Sequence, residues 1–170
     1  MKVKSNIILK KFKKKYITKE YLKWLNNPKL MKYSEQRFHK HTLKSSIKYL
    51  KSFQGTENLF YAIFDYSKNL HIGNINAYID KKNKVADIGI LIGVPGKGYG
   101  FMAWEQMMQI LFIKKNIRKI TGGTMSINAP MIKIFKKNKM IFEYKKIKQF
   151  IMNGRYIDLV GYCAFNDKKK

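Results

Sequence analysis

Three consecutive segments decide the fold: ADIGILIG (Ala86–Gly93), VPGKGYG (Val94–Gly100) and FMAWEQMMQILFI (Phe101–Ile113). Ile88, Ile90 and Ile92 alternate with Gly89, Leu91 and Gly93. Branched residues at period two predict a pleated, mostly buried strand. Phe101, Trp104, Met107, Met108 and Leu111 share one face at helical spacing, which predicts a helix. Gly96, Gly98 and Gly100 lie between the two. Glycine reaches positive φ and lets a ligand come close to the backbone. A helix N-terminus carries unpaired N–H donors and the positive end of the macrodipole, so it favours an anion. Phosphate is the natural guest, and Lys97 adds a full charge. The plainer reading is an ordinary strand–helix connection, and the turn alone leaves both open.

Before this stretch, Val3–Leu9 reads as a strand and Lys10–Lys15 as its solvated exit. Thr18 is placed to cap a helix over Lys19–Leu25, which Asn26, Asn27 and Pro28 stop. Lys29–Tyr33 reads as a further turn, followed by a polar loop, SEQRFHKHT (Ser34–Thr42). Thr42 or Ser45 caps the next helix, which carries Ile47, Tyr49, Leu50 and Phe53. Leu59–Asp65 and Leu70–Ile79 read as strands. After the glycine turn and its helix, Ile120–Met125 is a strand containing a Gly122–Gly123 pair. Asn128 and Pro130 open a short helix with Met131, Ile134 and Phe135, and Asn138 is placed to cap its end. Met140–Met152 and Tyr156–Phe165 flank Asn153–Gly154, a strong hairpin signal.

Three successive strands with short turns predict an antiparallel meander, and the strand–helix–strand unit after them predicts one parallel pair. The expected fold class is α/β (α+β): a mixed, mostly antiparallel seven-stranded sheet flanked by helices on both sides. One domain is expected over residues 1–166, with a disordered tail at 167–170.

Composition narrows the function. The chain has 170 residues, 45% of them hydrophobic, which suits one globular domain. No apolar run approaches the roughly 18–20 residues of a membrane span. Cys163 is the only cysteine, so no intrachain disulfide forms and a cytoplasmic location is expected. The net charge of +26 draws polyanions or phosphorylated small molecules. Only Arg37, Arg118 and Arg155 are arginines. A dedicated nucleic-acid surface would use more of them, because arginine reads bases and phosphates bidentately.

The order of elements, with a glycine turn after the fourth strand, resembles the GNAT superfamily of N-acetyltransferases. ADIGILIG followed by GKGYG is similar to the acetyl-CoA motif of the branch that includes the ribosomal-protein-alanine acetyltransferases. GGTMSINAPMIKIF and the NGRYIDLV hairpin resemble its second half. The resemblance implies two strands that splay beside the glycine turn, a pantetheine arm added along Ile90, Leu91, Ile92 and Gly93, and a pyrophosphate on the amides of Gly96, Lys97, Gly98, Tyr99 and Gly100. It also implies that Asn128 holds the cofactor, although the residue pattern equally suits a helix cap. The sequence departs from the family pattern in two places that bear on chemistry. Val94–Pro95 is a short connection lacking the usual Arg or Gln, and Phe135 stands where a tyrosine general acid is common.

The implied reaction is attack of a neutral amine on a thioester carbonyl, which needs proton removal, positioning and stabilisation of negative charge on oxygen. Backbone N–H groups near Leu91 and Ile92 are candidates to polarise the carbonyl. Asp87 is a candidate base, and a turn or edge carboxylate is the competing reading. His41 and His39 are alternative bases, Ser126 is a candidate acid, and no metal is expected. Tyr33, Glu35, Arg37 and His39 are candidate acceptor-binding residues on a loop that also reads as plain polar surface. The resemblance points loosely to nucleotide-linked amino sugars. A protein N-terminal amine, or a non-catalytic polyanion-binding module, are the alternatives. Expected partners are acetyl-CoA, a small amine and a second copy of the chain, with neither membrane nor nucleic acid.

Overall fold

The computed structural model describes residues 6–96 and 98–166. The elements, in chain order, are β1 (Ile7–Lys11), α1 (Lys19–Leu25), α2 (Pro28–Met31), α3 (Leu43–Lys51), β2 (Leu59–Asp65), β3 (Leu70–Asp80), β4 (Val85–Ile92), α4 (Tyr99–Gln109), β5 (Lys119–Met125), α5 (Ala129–Lys137), β6 (Ile141–Met152) and β7 (Arg155–Phe165). The seven strands form one sheet in the order β1-β2-β3-β4-β5-β7-β6. Among the described residues only β4 and β5 are parallel neighbours. The mixed, mostly antiparallel sheet is therefore the one the strand order predicts.

The caps follow the sequence. Thr18 accepts from the Tyr21 N–H at 3.2 Å, and Thr42 and Ser45 cap α3 reciprocally, so both candidates act together. Asn153 and Gly154 take φ values of 50° and 72° at the β6–β7 turn, the left-handed pair a two-residue hairpin needs. α1 ends at Leu25 as expected, and Pro28 opens the short α2, with Asn27 accepting from the Lys29 N–H at 2.9 Å. One reading shifts. The first strand runs past Leu9 into the lysines expected to be its exit: Lys10 and Lys11 pair with Ala62 and Tyr61. An edge strand tolerates lysines, and Lys10 lays its ammonium 4.2 Å from the Phe64 ring centre. Residues 1–5, Lys97 and the 167–170 tail lie outside the described residues.

Alternation along the strands builds two cores. Ala86, Ile88, Ile120 and Tyr162 face α4 and α5, where Ala103, Trp104, Met107 and Phe135 are fully buried or nearly so. Phe60, Ala62, Phe64 and Leu91 face α1 and α3. Within this second core His71 stacks on Tyr21 and Phe64, with Trp24, Phe12 and Tyr16 also within 6.0 Å or less of its ring centre. Its Nε2–H donates to the Gly73 carbonyl at 2.9 Å. Burial among rings lowers the His71 pKa to about 4, and the bond to Gly73 only partly opposes that.

A histidine whose folded pKa lies below its unfolded value binds more protons when unfolded. Its contribution to stability is complete above about pH 6.5 and declines as pH falls toward 4. Denaturant titrations between pH 7 and 4 should show this loss, and His71→Phe, which keeps the ring stack, should flatten it. A wild-type pH dependence retained in the variant would place the effect elsewhere.

Candidate active site

The site is created by a pairing that stops early. β4 and β5 pair only through Val85–Lys119, Ala86–Ile120 and Asp87–Thr121. Beyond that point β4 continues to Ile92 along β3, and β5 continues to Met125 along β7. The two strands splay, leaving one edge of Ile88–Gly93 without a strand partner over about 16 Å at 3.3 Å per residue. Such an edge offers N–H and C=O groups to an extended, amide-containing ligand. Gly122 helps hold the opening from below: a Cβ there would lie 2.9 Å from both the Phe135 and Trp104 rings. Gly93 serves the other face, where a Cβ would come within 2.0 Å of the Trp24 indole, so α1 closes directly over the end of β4.

The glycine turn meets the wide end of this opening. Gly96 and Gly98 have φ values of 124° and 73°, and Gly98 is the left-handed N-cap of α4. A Cβ at either position would meet nothing within 4 Å, so what calls for glycine here is backbone conformation together with room for a ligand. Gly100 is different: a Cβ there would lie 2.7 Å from Ile134 Cδ1, so its glycine lets α5 pack against the start of α4. Tyr99 turns its hydroxyl inward and donates to Asp65 Oδ2 at 2.5 Å. The Tyr99 bond, followed by those from the Ser67 hydroxyl and the Ser67 and Lys68 amides, holds the Asp65 pKa at about 2. The Tyr99 side chain thus anchors α4 to the end of β2 rather than lining the cleft, and its amide donates to the Gly96 carbonyl at 3.2 Å. Asn128 is the N-cap of α5, accepting from the Met131 N–H at 3.3 Å and donating to Thr124 Oγ1 at 2.8 Å.

Asp87 stands at the vertex, on the last β4–β5 pair. Thr121 Oγ1 donates to its Oδ1 at 2.6 Å. Asp87 is open to solvent, yet neighbouring atoms partly desolvate its carboxylate and raise its pKa, and the Thr121 bond only partly opposes this. A carboxylate with a raised pKa is a stronger base than an ordinary one. Around it lie polar side chains with no equivalent among the sequence-based candidates. Asn74 and Asn76 on β3 face Leu91 and Gly89, and each is more than nine-tenths buried. Asn74 Oδ1 has no hydrogen-bond partner among the described residues. Tyr78, opposite Asp87, shares a 3.0 Å hydroxyl contact with Tyr49 of α3. The signal for these residues was the N-I-N alternation inside a strand that otherwise reads as buried.

The remaining candidates are spread out. Ser126 follows β5, with its N–H on the Asp158 carbonyl at 2.8 Å. His41 braces the loop: its main chain exchanges two hydrogen bonds with the Asn26 side chain, and its Nε2–H donates to the Gln36 carbonyl at 3.2 Å. Glu35 is exposed on a 3-10 turn, Glu35–Phe38, and Lys32 lies 4.6 Å from the Tyr33 ring centre. Arg37 donates to the Ser34 carbonyl at 2.9 Å and to the Ile151 carbonyl at 3.3 Å, joining the loop to the β6–β7 hairpin. Arg37 and His39 line a cavity of about 500 Å³ with Leu25, Asn27, Lys32 and Met152. The cavity lies between the α1–α2 region, the loop that follows it and the tip of the β6–β7 hairpin. Among the described residues no cluster of three metal-ligating side chains occurs.

The acetyltransferase (GNAT) domain model matches residues 6–141. The chain belongs to the GNAT family. The GNAT fold is shared with RimL, a ribosomal L7/L12 alpha-N-protein acetyltransferase solved with coenzyme A, at TM-score 0.84 and 18% identity over 97% of both chains. Vibrio cholerae spermidine N-acetyltransferase, solved with CoA and spermine, matches at TM-score 0.82 and 17% identity over 96% of this chain and 97% of that one. A Bacillus anthracis GNAT acetyltransferase matches at 0.79 and 17% over 96% of both. No curated protein matches the sequence. The GNAT domain is an N-acetyltransferase with acetyl-CoA as donor, and its open β4 edge and glycine-capped helix fit that thioester's amide arm and phosphates.

Gly98→Val forces a branched residue into the left-handed region and should weaken acetyl-CoA binding by at least about tenfold in calorimetry. Unchanged affinity would remove the turn from the site. Asp87→Asn should lower turnover by about 10² or more while acetyl-CoA affinity stays within twofold. Equal turnover would exclude Asp87 as the base.

Proposed function

We propose that this acetyltransferase acts on the primary amine of a small anionic acceptor, of the class of a nucleotide-linked amino sugar. The observation that carries this reading is the lining of the cavity between α1–α2 and the β6–β7 hairpin, which this proposal gives to the acceptor: Lys32, Arg37 and His39 contribute basic groups, and no lining residue is acidic. A polycation such as spermine would meet like charges there, whereas a diphosphate would be drawn in. The overall charge of +26 works in the same direction at long range. Asp87 takes the proton from the amine, directly or through one water, and backbone N–H groups of the open β4 edge orient the carbonyl. Asn128 holds α5 in place beside the arm.

The same reading takes residues 1–166 as one domain, working in the cytoplasm, where a CoA thioester donor and a single reduced cysteine are at home. A homodimer is supported by exposed apolar residues on the outer hairpin, among them Phe142, Ile147, Ile151 and Tyr156.

The test is an acceptor panel with acetyl-CoA held saturating. Nucleoside-diphosphate amino sugars should be turned over at least tenfold more efficiently than the free amino sugar, spermidine or an N-terminal peptide. Arg37→Ala should raise KM for the diphosphate acceptor about tenfold without changing acetyl-CoA affinity. Preference for spermidine or a peptide would overturn the acceptor assignment.

A further inference from the structure

The family's tyrosine acid has no counterpart on α5: Phe135 is fully buried, stacked on Tyr162 and set edge-on to Trp104. Another hydroxyl is delivered to the same opening from the opposite face of the sheet. Along β6, Phe142 pairs with Tyr162 and Tyr144 with Gly161, so β6 advances two residues while β7 advances one. This β-bulge at Glu143 changes the face on which the next side chain emerges. Without it Tyr144 would oppose Val160, on the face of α5. With it Tyr144 lies on the face that carries Asp87 and Thr121.

Glycines on two neighbouring strands make room for the Tyr144 ring. A Cβ at Gly161 would lie 2.2 Å from its Cε1, and a Cβ at Gly123 would lie 3.6 Å from its hydroxyl. The ring therefore crosses β7 over Gly161 and brings its hydroxyl above Gly123 of β5. Gly123 lies two residues beyond Thr121, on the same face and just past the last β4–β5 pair. The hydroxyl has no hydrogen-bond partner among the described residues, and Tyr144 is 39% exposed, so it can exchange protons with water.

We propose that Tyr144 is the general acid of acetyl transfer, replacing the tyrosine that α5 lacks. The proposal rests on the acetyl-CoA reading of the cleft. As the amine nitrogen bonds to the carbonyl carbon, its proton passes to Asp87. As the C–S bond breaks, sulfur leaves with the electron pair and takes the Tyr144 hydroxyl proton. Solvent then reprotonates the tyrosinate, and Asp87 gives up its proton to water. The charged groups around Tyr144 suit an acid that stays protonated. Asp87 faces it from β4, and burial together with the charges of Asp87 and Glu143 raises its pKa. Glu143 is itself paired with Lys119, and Lys146 Nζ lies 5.9 Å from the Tyr144 ring centre.

The test does not depend on knowing the acceptor. Free CoA is bound to the wild type and to Tyr144→Phe, and the thiol of bound CoA is titrated by its thiolate absorbance. A hydroxyl donating to sulfur stabilises the thiolate, so the bound thiol should have a pKa about one unit lower in the wild type than in the variant. CoA affinity at neutral pH should agree within twofold. With an accepted amine, turnover of the variant should fall about a hundredfold, and the loss of rate at alkaline pH should move or vanish. Equal thiol pKa values at preserved CoA affinity would overturn the role of Tyr144 and leave the acetyl-CoA site standing. No CoA binding by the wild type would overturn both.

Discussion

The site depends on one interruption: β4 and β5 hydrogen-bond for three residue pairs and then part. Each strand keeps its other neighbour, so the sheet loses one seam and neither strand. The seam is kept open by bulk on one face and by glycine on the other. Trp104 and Phe135 press against Gly122 from the helical side, and on the other face Gly123 and Gly161 make room for the Tyr144 ring. A side chain at Gly122 would collide with the wedge that shapes the opening. Unpaired strand edges are normally hidden or charged because they recruit other chains. Here the exposed edge ends under Trp24 and at the N-terminus of α4, which confines its guest to a narrow extended arm with an anionic end.

The glycine turn before α4 is set from behind. Tyr99 reaches back to Asp65, whose other bonds close the turn after β2. This fixes the first residue of α4 relative to the sheet and leaves Gly96 and Gly98 as the conformationally special positions. Asn128 does similar work for α5 while tying it to Thr124 at the end of β5. Cofactor-side geometry is thus carried by backbone and caps. The proposed acceptor-side chemistry rests on side chains: Asp87 and Thr121 at the vertex, Asn74 and Asn76 beside it, and Lys32, Arg37 and His39 on the outer cavity.

Much of this was legible in the sequence because it lies in local pattern. The isoleucine alternation of β4, the glycines before α4, the Asn-Gly hairpin and the Thr18 and Thr42 caps each depend on neighbouring residues alone. Other features depend on long-range register. The Tyr99 side chain reads as part of the glycine-rich turn, and only register places Asp65 opposite its hydroxyl. The bonds of His41 to Asn26 and Gln36 likewise come from chain segments that local pattern does not bring together. Asn74 and Asn76 read as polar interruptions in a buried strand until pairing sets them beside Leu91 and Gly89. A bulge at Glu143 leaves no mark in composition or periodicity, yet it decides which face Tyr144 occupies.

Amide hydrogen exchange with and without acetyl-CoA tests the central claim most directly, because the claim is that an open strand edge becomes a paired one. Slower exchange is predicted in peptides covering Ile88–Gly93 and the start of α4 from Gly98, with β1 and β2 unchanged. Protection absent from β4, or scattered over the lysine-rich surface and abolished by moderate salt, would contradict it.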